Sequence, residues 1–257
     1  MSVKPVLKVE NLAIAFDKRV VHDVSLEIYA GKTTAIVGES GSGKTITSMA
    51  IMGLLPKKAV IENGTIEGWD GEIKAGNGIS MVFQDPMSSL NPSMTVGKQV
   101  GEPLIIHQNE EAKKAKSQVL DLFQEVELPE AAAAYDKFPH ELSGGQKQRL
   151  AIAGALASEA KLMLLDEPTA SMDMRYELGL LNHLRQTAGH FIGVVIVIHD
   201  LNLAARFMDR LILMNHGEVI AEGAPEVVLD PNRLSDVYQT PIKVERNDLL
   251  DRLLVHS

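Results

Sequence analysis

Apolar positions along the chain fall into three textures. Over residues 5–35, Leu7, Val9, Leu12 and Ile14 are interspersed with Lys8 and Glu10, a period near two that suits half-buried strands. Val20–Ile28 repeats the pattern, and Ala30-Gly31 makes a turn before Thr33–Val37. These segments predict a small, partly antiparallel sheet feeding one buried strand, Thr34–Val37. From about 85 to 140 the period changes. Ala115, Val119, Leu122, Phe123 and Val126 recur at helical spacing inside the polar run Glu110–Glu127. Asp85-Pro86 and Asn91-Pro92 mark loops before it. From 161 onward, short apolar runs alternate with helical segments: Lys161–Leu165, helix 175–187, Gly193–Ile198, helix 201–208 and Arg210–Met214. Continuous apolar strands separated by helices predict a parallel sheet covered on both faces. The tail, 225–257, reads as helices with no further domain.

Composition narrows the classes. A chain of 257 residues makes one large domain, or a domain with a subdomain. It has no cysteine, which excludes a disulfide scaffold, a thiol nucleophile, Cys-ligated zinc and a protein-ligated iron–sulfur cluster. The net charge of −9 argues against a nucleic-acid partner held by phosphate contacts. Apolar runs such as Gly193–Ile198 are strand-sized, far short of the ~20 residues that span a bilayer. Met1–Glu10 lacks the basic-then-apolar pattern of a signal segment.

Three motifs carry chemistry. Gly38-Glu39-Ser40-Gly41-Ser42-Gly43-Lys44-Thr45 matches G-x-x-x-x-G-K-[ST] between the strand Thr34–Val37 and a predicted helix, Thr45–Gly53. Glycines let backbone N–H groups converge on phosphate oxygens, and the helix N-terminus adds positive potential. In such a loop Lys44 bridges the β- and γ-phosphates and Thr45 binds Mg²⁺. Leu162–Leu165 is a buried strand ending in Asp166 and Glu167. An Asp at the carboxyl end of such a strand lies beside the P-loop in an open α/β sheet. Asp166 is then placed to hold Mg²⁺, directly or through water, and Glu167 to polarise an attacking water as general base. Leu142-Ser143-Gly144-Gly145-Gln146 precedes a helical run, Lys147–Ala157, with Ser143 as N-cap and two glycines clearing the backbone for an anion.

The P-loop alone is compatible with many NTPases. The pentapeptide Leu142–Gln146, set between a P-loop and an acidic-ended strand, resembles the signature of the ABC ATPases. That resemblance covers Phe16 to about Val244 and implies a fold: an α/β P-loop NTPase (RecA-like) parallel-sheet core with an antiparallel β subdomain and an inserted α-helical subdomain. As one ABC ATPase domain, residues 1–84 and 141–257 would form the ATP-binding core and about 85–140 the helical subdomain. The remaining motifs follow from the same resemblance. Gln84 looks like the Q-loop glutamine, reaching Mg²⁺ and the water. Ser171-Met172-Asp173 resembles the D-loop, with Met where Leu is usual. His199 resembles the switch histidine that contacts the γ-phosphate. Phe16 sits where a Tyr commonly stacks on adenine; the alternative for Phe16 is plain core of the small sheet.

The family implies a head-to-tail dimer enclosing two ATP. Lys44, Gln84, Asp166, Glu167 and His199 of one protomer would face Ser143, Gly144 and Gly145 of the other. The run Gln84–Pro92 resembles ATPases serving oligopeptide, dipeptide, nickel and metallophore importers, whereas Asp200–Ala204 and Tyr238–Val244 resemble those of siderophore, haem and cobalamin importers. The implied partners are integral-membrane permeases, a second ATPase subunit (the same chain or a paralogue) and, indirectly, an extracytoplasmic solute-binding protein. The implied place is the cytoplasmic face of the inner membrane. Gln84–Ile106 and helix 110–127 would receive the permease, with Met87, Leu90, Met94 and Val96 as an apolar docking cluster. The alternative is a soluble ABC ATPase scaffold, such as one assisting iron–sulfur cluster assembly.

Overall fold

The computed structural model describes residues 5–68, 74–75, 78–83, 90–106, 108–169, 172–188, 193–247 and 252–256. Strands β1 (Pro5–Ala15) and β2 (Arg19–Tyr29) pair antiparallel across a short turn, and β4 (Val60–Gly68) joins the other edge of β1. A second sheet of seven strands runs in the order β10-β9-β3-β8-β7-β6-β5. In it β3 (Thr33–Val37), β5 (Lys74–Ala75), β6 (Gly78–Val82), β7 (Leu162–Asp166), β8 (Gly193–Val197) and β9 (Arg210–Asn215) are parallel. The edge strand β10 (Glu218–Gly223) runs antiparallel to β9.

Every residue of β3, β7 and β8 is buried. Successive side chains of a strand point to opposite faces, and here both faces are covered. Val37, Met163, Leu165, Val194 and Ile196 enter a core shared with the helices. Their neighbours Ile36, Leu162, Leu164, Val195 and Val197 enter a second core, closed by the three-stranded sheet through Leu7, Leu12, Ile14 and Ile28. Two-sided burial is why these strands read as unbroken apolar runs.

Helix α1 (Lys44–Ile51) follows β3. Between β6 and β7 lie α2 (Val96–Ile106), α3 (Ala112–Glu125), α4 (Ala131–Ala134) and α5 (Gly144–Ala157), with α5 packed against α2 and α3. Ala115, Val119 and Phe123 of α3 are buried, and the Phe123 ring centroid lies 6.5 Å from that of Tyr135. Helix α3 is shorter at both ends than Glu110–Glu127; Glu127 has φ 53°, a left-handed conformation that cannot continue a helix. Val96 is fully buried, so it belongs to the core and not to an exposed docking cluster. Met87 and Gln84 lie outside the described residues. Helices α6 (Met174–Ala188) and α7 (Leu201–Phe207) complete the β-α alternation.

The tail corrects the all-helical expectation. Helices α8 (Pro225–Val228) and α9 (Pro231–Tyr238) are followed by an antiparallel hairpin, β11 (Lys243–Asn247) and β12 (Arg252–His256). The hairpin is held from a distance in sequence. The Asn202 side chain of α7 donates to the Val255 carbonyl at 3.1 Å and accepts from its amide at 2.8 Å. Val244, Leu253 and Val255 pack on the helix-side core. Among the described residues, no helix is long and apolar enough to cross a membrane.

Candidate functional site

Strand β3 lies between β8 and β9, so the loop Gly38–Gly43 opens at the carboxyl ends of central parallel strands, where such sheets bind ligands. Gly43 is the N-cap of α1 at φ 97°, and its carbonyl accepts from the Thr47 amide at 2.9 Å. The loop is pinned to the β9–β10 turn by a 3.1 Å hydrogen bond from the Gly217 amide to the Ser42 carbonyl. Lys44 is buried and turns back on the loop, donating to the Gly38 and Glu39 carbonyls at 2.9 and 2.7 Å. Burial lowers the pKa of its ammonium, while Glu167, Asp166 and Glu39 oppose that shift.

Asp166 ends β7 and is buried; the Thr45 Oγ1 lies 3.4 Å from its Oδ1. Burial raises the Asp166 pKa and Glu167 adds to this, against the Thr45 hydrogen bond and the Lys44 charge. Glu167 follows with φ 48°, and its amide donates to the Val197 carbonyl at the end of β8, at 3.1 Å. A left-handed non-glycine residue is costly and recurs where a site over-determines the backbone. A 2.6 Å hydrogen bond joins Glu167 Oε1 to His199 Nε2. The next residue, Asp200, caps α7 by accepting from the Asn202 and Leu203 amides at 2.7 and 3.0 Å, which fixes where His199 stands.

Lys44, Thr45, Glu167 and His199 line one cleft of about 230 Å³ with Phe16, Val20, Ser40, Gly41, Gly43 and Ile46. The structure therefore brings together Phe16, the loop, Lys44, Thr45, Glu167 and His199, with Asp166 on Thr45. Phe16, Val20 and Ile46 make an apolar wall fit for a stacked aromatic base. Val20 and Ile46 carry no motif, and sequence reasoning missed them. Gln84 and Ser171 lie outside the described residues.

The signature residues stand elsewhere. Ser143, Gly145, Gln146 and Asp173 line a second cleft of about 290 Å³ with Pro129, Arg149, Met172 and Tyr176. Among the described residues it shares none with the first cleft. Asp173 is thus on the signature side and not beside the P-loop. Ser143 and Gln146 form a reciprocal cap on α5: the Ser143 amide donates to Gln146 Oε1 at 2.9 Å, and Ser143 Oγ accepts from the Gln146 amide at 3.3 Å. A Cβ added at Gly144 or Gly145 would meet nothing within 4 Å. Glycine costs about 1 kcal/mol relative to Ala in a helix interior, and no contact among the described residues requires it here. Behind them the Arg149 guanidinium lies 4.0 Å over the Tyr176 ring and donates to the Glu127 carbonyl. No sequence signal linked these residues; the fold alone pairs them.

Comparison with known proteins agrees with this geometry. A family model described as ABC transporter matches residues 21–170. The chain is 36% identical over 247 residues to the dipeptide transport ATP-binding protein DppD of Lactococcus lactis subsp. cremoris, covering 89% of this chain and 70% of that one. It is 37% identical over 256 residues to a putative peptide import ATP-binding protein of Brucella ovis, covering 90% and 75%. Among solved structures it resembles a dimeric post-hydrolysis state of the ATP-binding cassette MJ0796 bound to ADP and Pi. There the TM-score is 0.74 at 29% identity, covering 85% of this chain and 98% of that one. The chain belongs to the ABC transporter family, as one of its ATP-binding, ATP-hydrolysing cassettes.

Proposed function

We propose that the chain is the ATPase subunit of a membrane importer of peptides, one half of a pair that closes on two ATP and reopens after hydrolysis. One observation carries the paired mechanism. The chain presents a phosphate-binding cleft and a signature cleft that share no described residue, and among the described residues no contact requires glycine at Gly144 or Gly145. A second ATPase subunit arranged head to tail would close Ser143, Gly144, Gly145, Gln146 and Asp173 over the nucleotide held by the first. The peptide assignment is supported by the names of relatives whose similarity spans 89–90% of this chain.

Within one site, Phe16 stacks on the adenine and the amides of Gly38, Glu39, Ser40, Gly41, Ser42 and Gly43 surround the phosphates. Lys44 leaves the Gly38 and Glu39 carbonyls for the β- and γ-phosphate oxygens. The donor set fits a hard divalent cation: a hydroxyl that lines the cleft and a buried carboxylate, 3.4 Å apart. Thr45 and Asp166, with Gln84, would hold Mg²⁺, which neutralises phosphate charge when bound. Glu167 accepts a proton as the water oxygen bonds to the γ-phosphorus and the bond to the ADP oxygen breaks. His199, bonded to Glu167, holds that carboxylate and reaches the γ-phosphate. The preorganised N–H groups at the start of α5, supplied by the other subunit, stabilise charge on the transferred group.

Residues 1–84 and 141–257 form the ATP-binding core in this reading, and about 85–140 the helical subdomain that meets integral-membrane permeases at the cytoplasmic face of the inner membrane. The exposed Ile105 and Ile106 at the end of α2 suit such a contact. An extracytoplasmic solute-binding protein acts only indirectly, by delivering solute to the permeases. The test is a tagged pull-down from detergent-solubilised membranes of the native host, with partners identified by mass spectrometry. Recovery of integral-membrane permeases supports the proposal, and binding of peptides by the associated solute-binding protein supports the solute. Soluble partners alone, with the chain absent from membranes, would retire the transport role.

A further inference from the structure

Asn202 is tied at both ends. Its side-chain Nδ2 donates to the Val255 carbonyl at 3.1 Å, and its Oδ1 accepts from the Val255 amide at 2.8 Å. Val255 stands opposite Val244 in the β11–β12 hairpin. Both backbone groups of Val255 are thus turned away from β11, as in a non-hydrogen-bonded antiparallel pair. The Asn202 amide group does for the outer edge of β12 what a further strand would do. At its other end, the Asn202 backbone amide donates to Asp200 Oδ1 at 2.7 Å, beside the Leu203 amide at 3.0 Å.

Contacts therefore run unbroken from the tail to the ATP site. They pass from Val255 through Asn202 to Asp200, and across one peptide bond to His199, whose Nε2 lies 2.6 Å from Glu167 Oε1. The His199 side chain is half exposed, so its stance depends on the backbone to either side. Upstream, the Ile198 amide donates to the Ile36 carbonyl of β3 at 3.2 Å, inside the seven-stranded sheet. Downstream, the anchor is α7, a helix of seven residues, too short to persist without tertiary ties. Leu201, Ala204 and Phe207 supply one tie by burial in the core. Asn202 supplies another, where β12 packs along the helix.

We propose that Asn202 is a positioning residue for hydrolysis: by latching the first turn of α7 to the C-terminal hairpin, it holds His199 against Glu167. This rests on the reading in which Glu167 is the base and His199 holds it. Nucleotide affinity is left alone, because Phe16, the P-loop, Lys44 and Thr45 stand on other elements.

Two variants break the latch from opposite sides. Asn202→Leu keeps the bulk of the side chain and removes both hydrogen bonds. Val255→Pro removes the amide that donates to Asn202; that amide lies outside the β11 ladder, so the hairpin pairing is kept. Steady-state kcat and KM for Mg²⁺-ATP, and binding of a fluorescent ATP analogue, are measured on the full chain beside the melting temperature, with Glu167→Gln as reference. Each latch variant is expected to lose about tenfold in kcat, within the range that a displaced group costs. KM and affinity are expected to stay within about twofold of the wild type, the split that marks an interaction used in the chemical step. Wild-type kcat in Asn202→Leu overturns the proposal, whatever its melting temperature. So does a fall in kcat matched by an equal loss of affinity, since that marks general loosening of the site. Loss of kcat in Asn202→Leu but not in Val255→Pro overturns the part given to the hairpin. Hydrolysis by Glu167→Gln at the wild-type rate would instead remove the assignment of the base on which the latch rests.

Discussion

Gly38 tests the geometry of the P-loop at its first residue. Its φ of 145° is one that residues with a Cβ rarely adopt. The close approach is more severe than the dihedral. The preceding residue, Val37, pairs with Leu213 of β9, which brings Gly38 against Met214. A Cβ on Gly38 would overlap the Met214 carbonyl oxygen outright and reach 3.1 Å from the Met214 carbonyl carbon and from Ser42 Oγ. The obstacle is strand backbone, which cannot rotate aside as a side chain can. Backbone strain of roughly 1–3 kcal/mol adds to overpacking of roughly 1–3 kcal/mol, so Gly38→Ala is expected to cost about 4 kcal/mol. At about 2–4 °C per kcal/mol for a chain of this size, the melting temperature falls by roughly 8–16 °C. The internal control is Gly41→Ala in the same loop. Its φ is 80°, but a Cβ there meets nothing within 4 Å, so the cost is only the left-handed backbone, about 1 kcal/mol. Thermal unfolding of both variants by circular dichroism, without nucleotide, compares them directly. A Gly38→Ala melting temperature within 3 °C of the wild type, or equal to that of Gly41→Ala, would refute the reasoning.

Two further predictions concern other parts of the chain. Ser143→Ala removes the α5 cap and is expected to cost about 1 kcal/mol of stability; it should slow hydrolysis while leaving nucleotide binding by the isolated chain within twofold, as titration calorimetry would show. His183 lies 3.5 Å from Glu125, and burial holds its pKa below 6.5 against the pull of Glu125 and Glu127. The unfolded chain therefore binds the proton first as pH falls below 6.5, and stability drops with pH through that window. Asparagine at 183 removes this component, so the loss of melting temperature between pH 7.5 and 5.5 should be smaller than in the wild type. An equal or steeper loss would contradict it.

The two cores and the ATP site were legible in the chain to different degrees. Buried parallel strands announce themselves because β3, β7 and β8 have no solvent face and cannot alternate. The phosphate loop, the acidic end of β7 and the capped start of α5 are local motifs, each written in a few consecutive residues. The tail hairpin was not legible. Lys243–Asn247 is one apolar residue among four polar ones, and its order comes from Asn202, which sits on α7. Val96 was misread for a similar reason: next to loop residues it looked like surface, but the start of α2 turns it into the core.

In the proposed mechanism this site hydrolyses ATP with Glu167 as the base. The most direct measurement is release of labelled phosphate from saturating Mg²⁺-ATP by the wild type and Glu167→Gln, with bound ATP quantified in the same samples. Glu167→Gln is expected to retain bound ATP while its turnover falls by at least about a hundredfold. Hydrolysis by Glu167→Gln at the wild-type rate would contradict it.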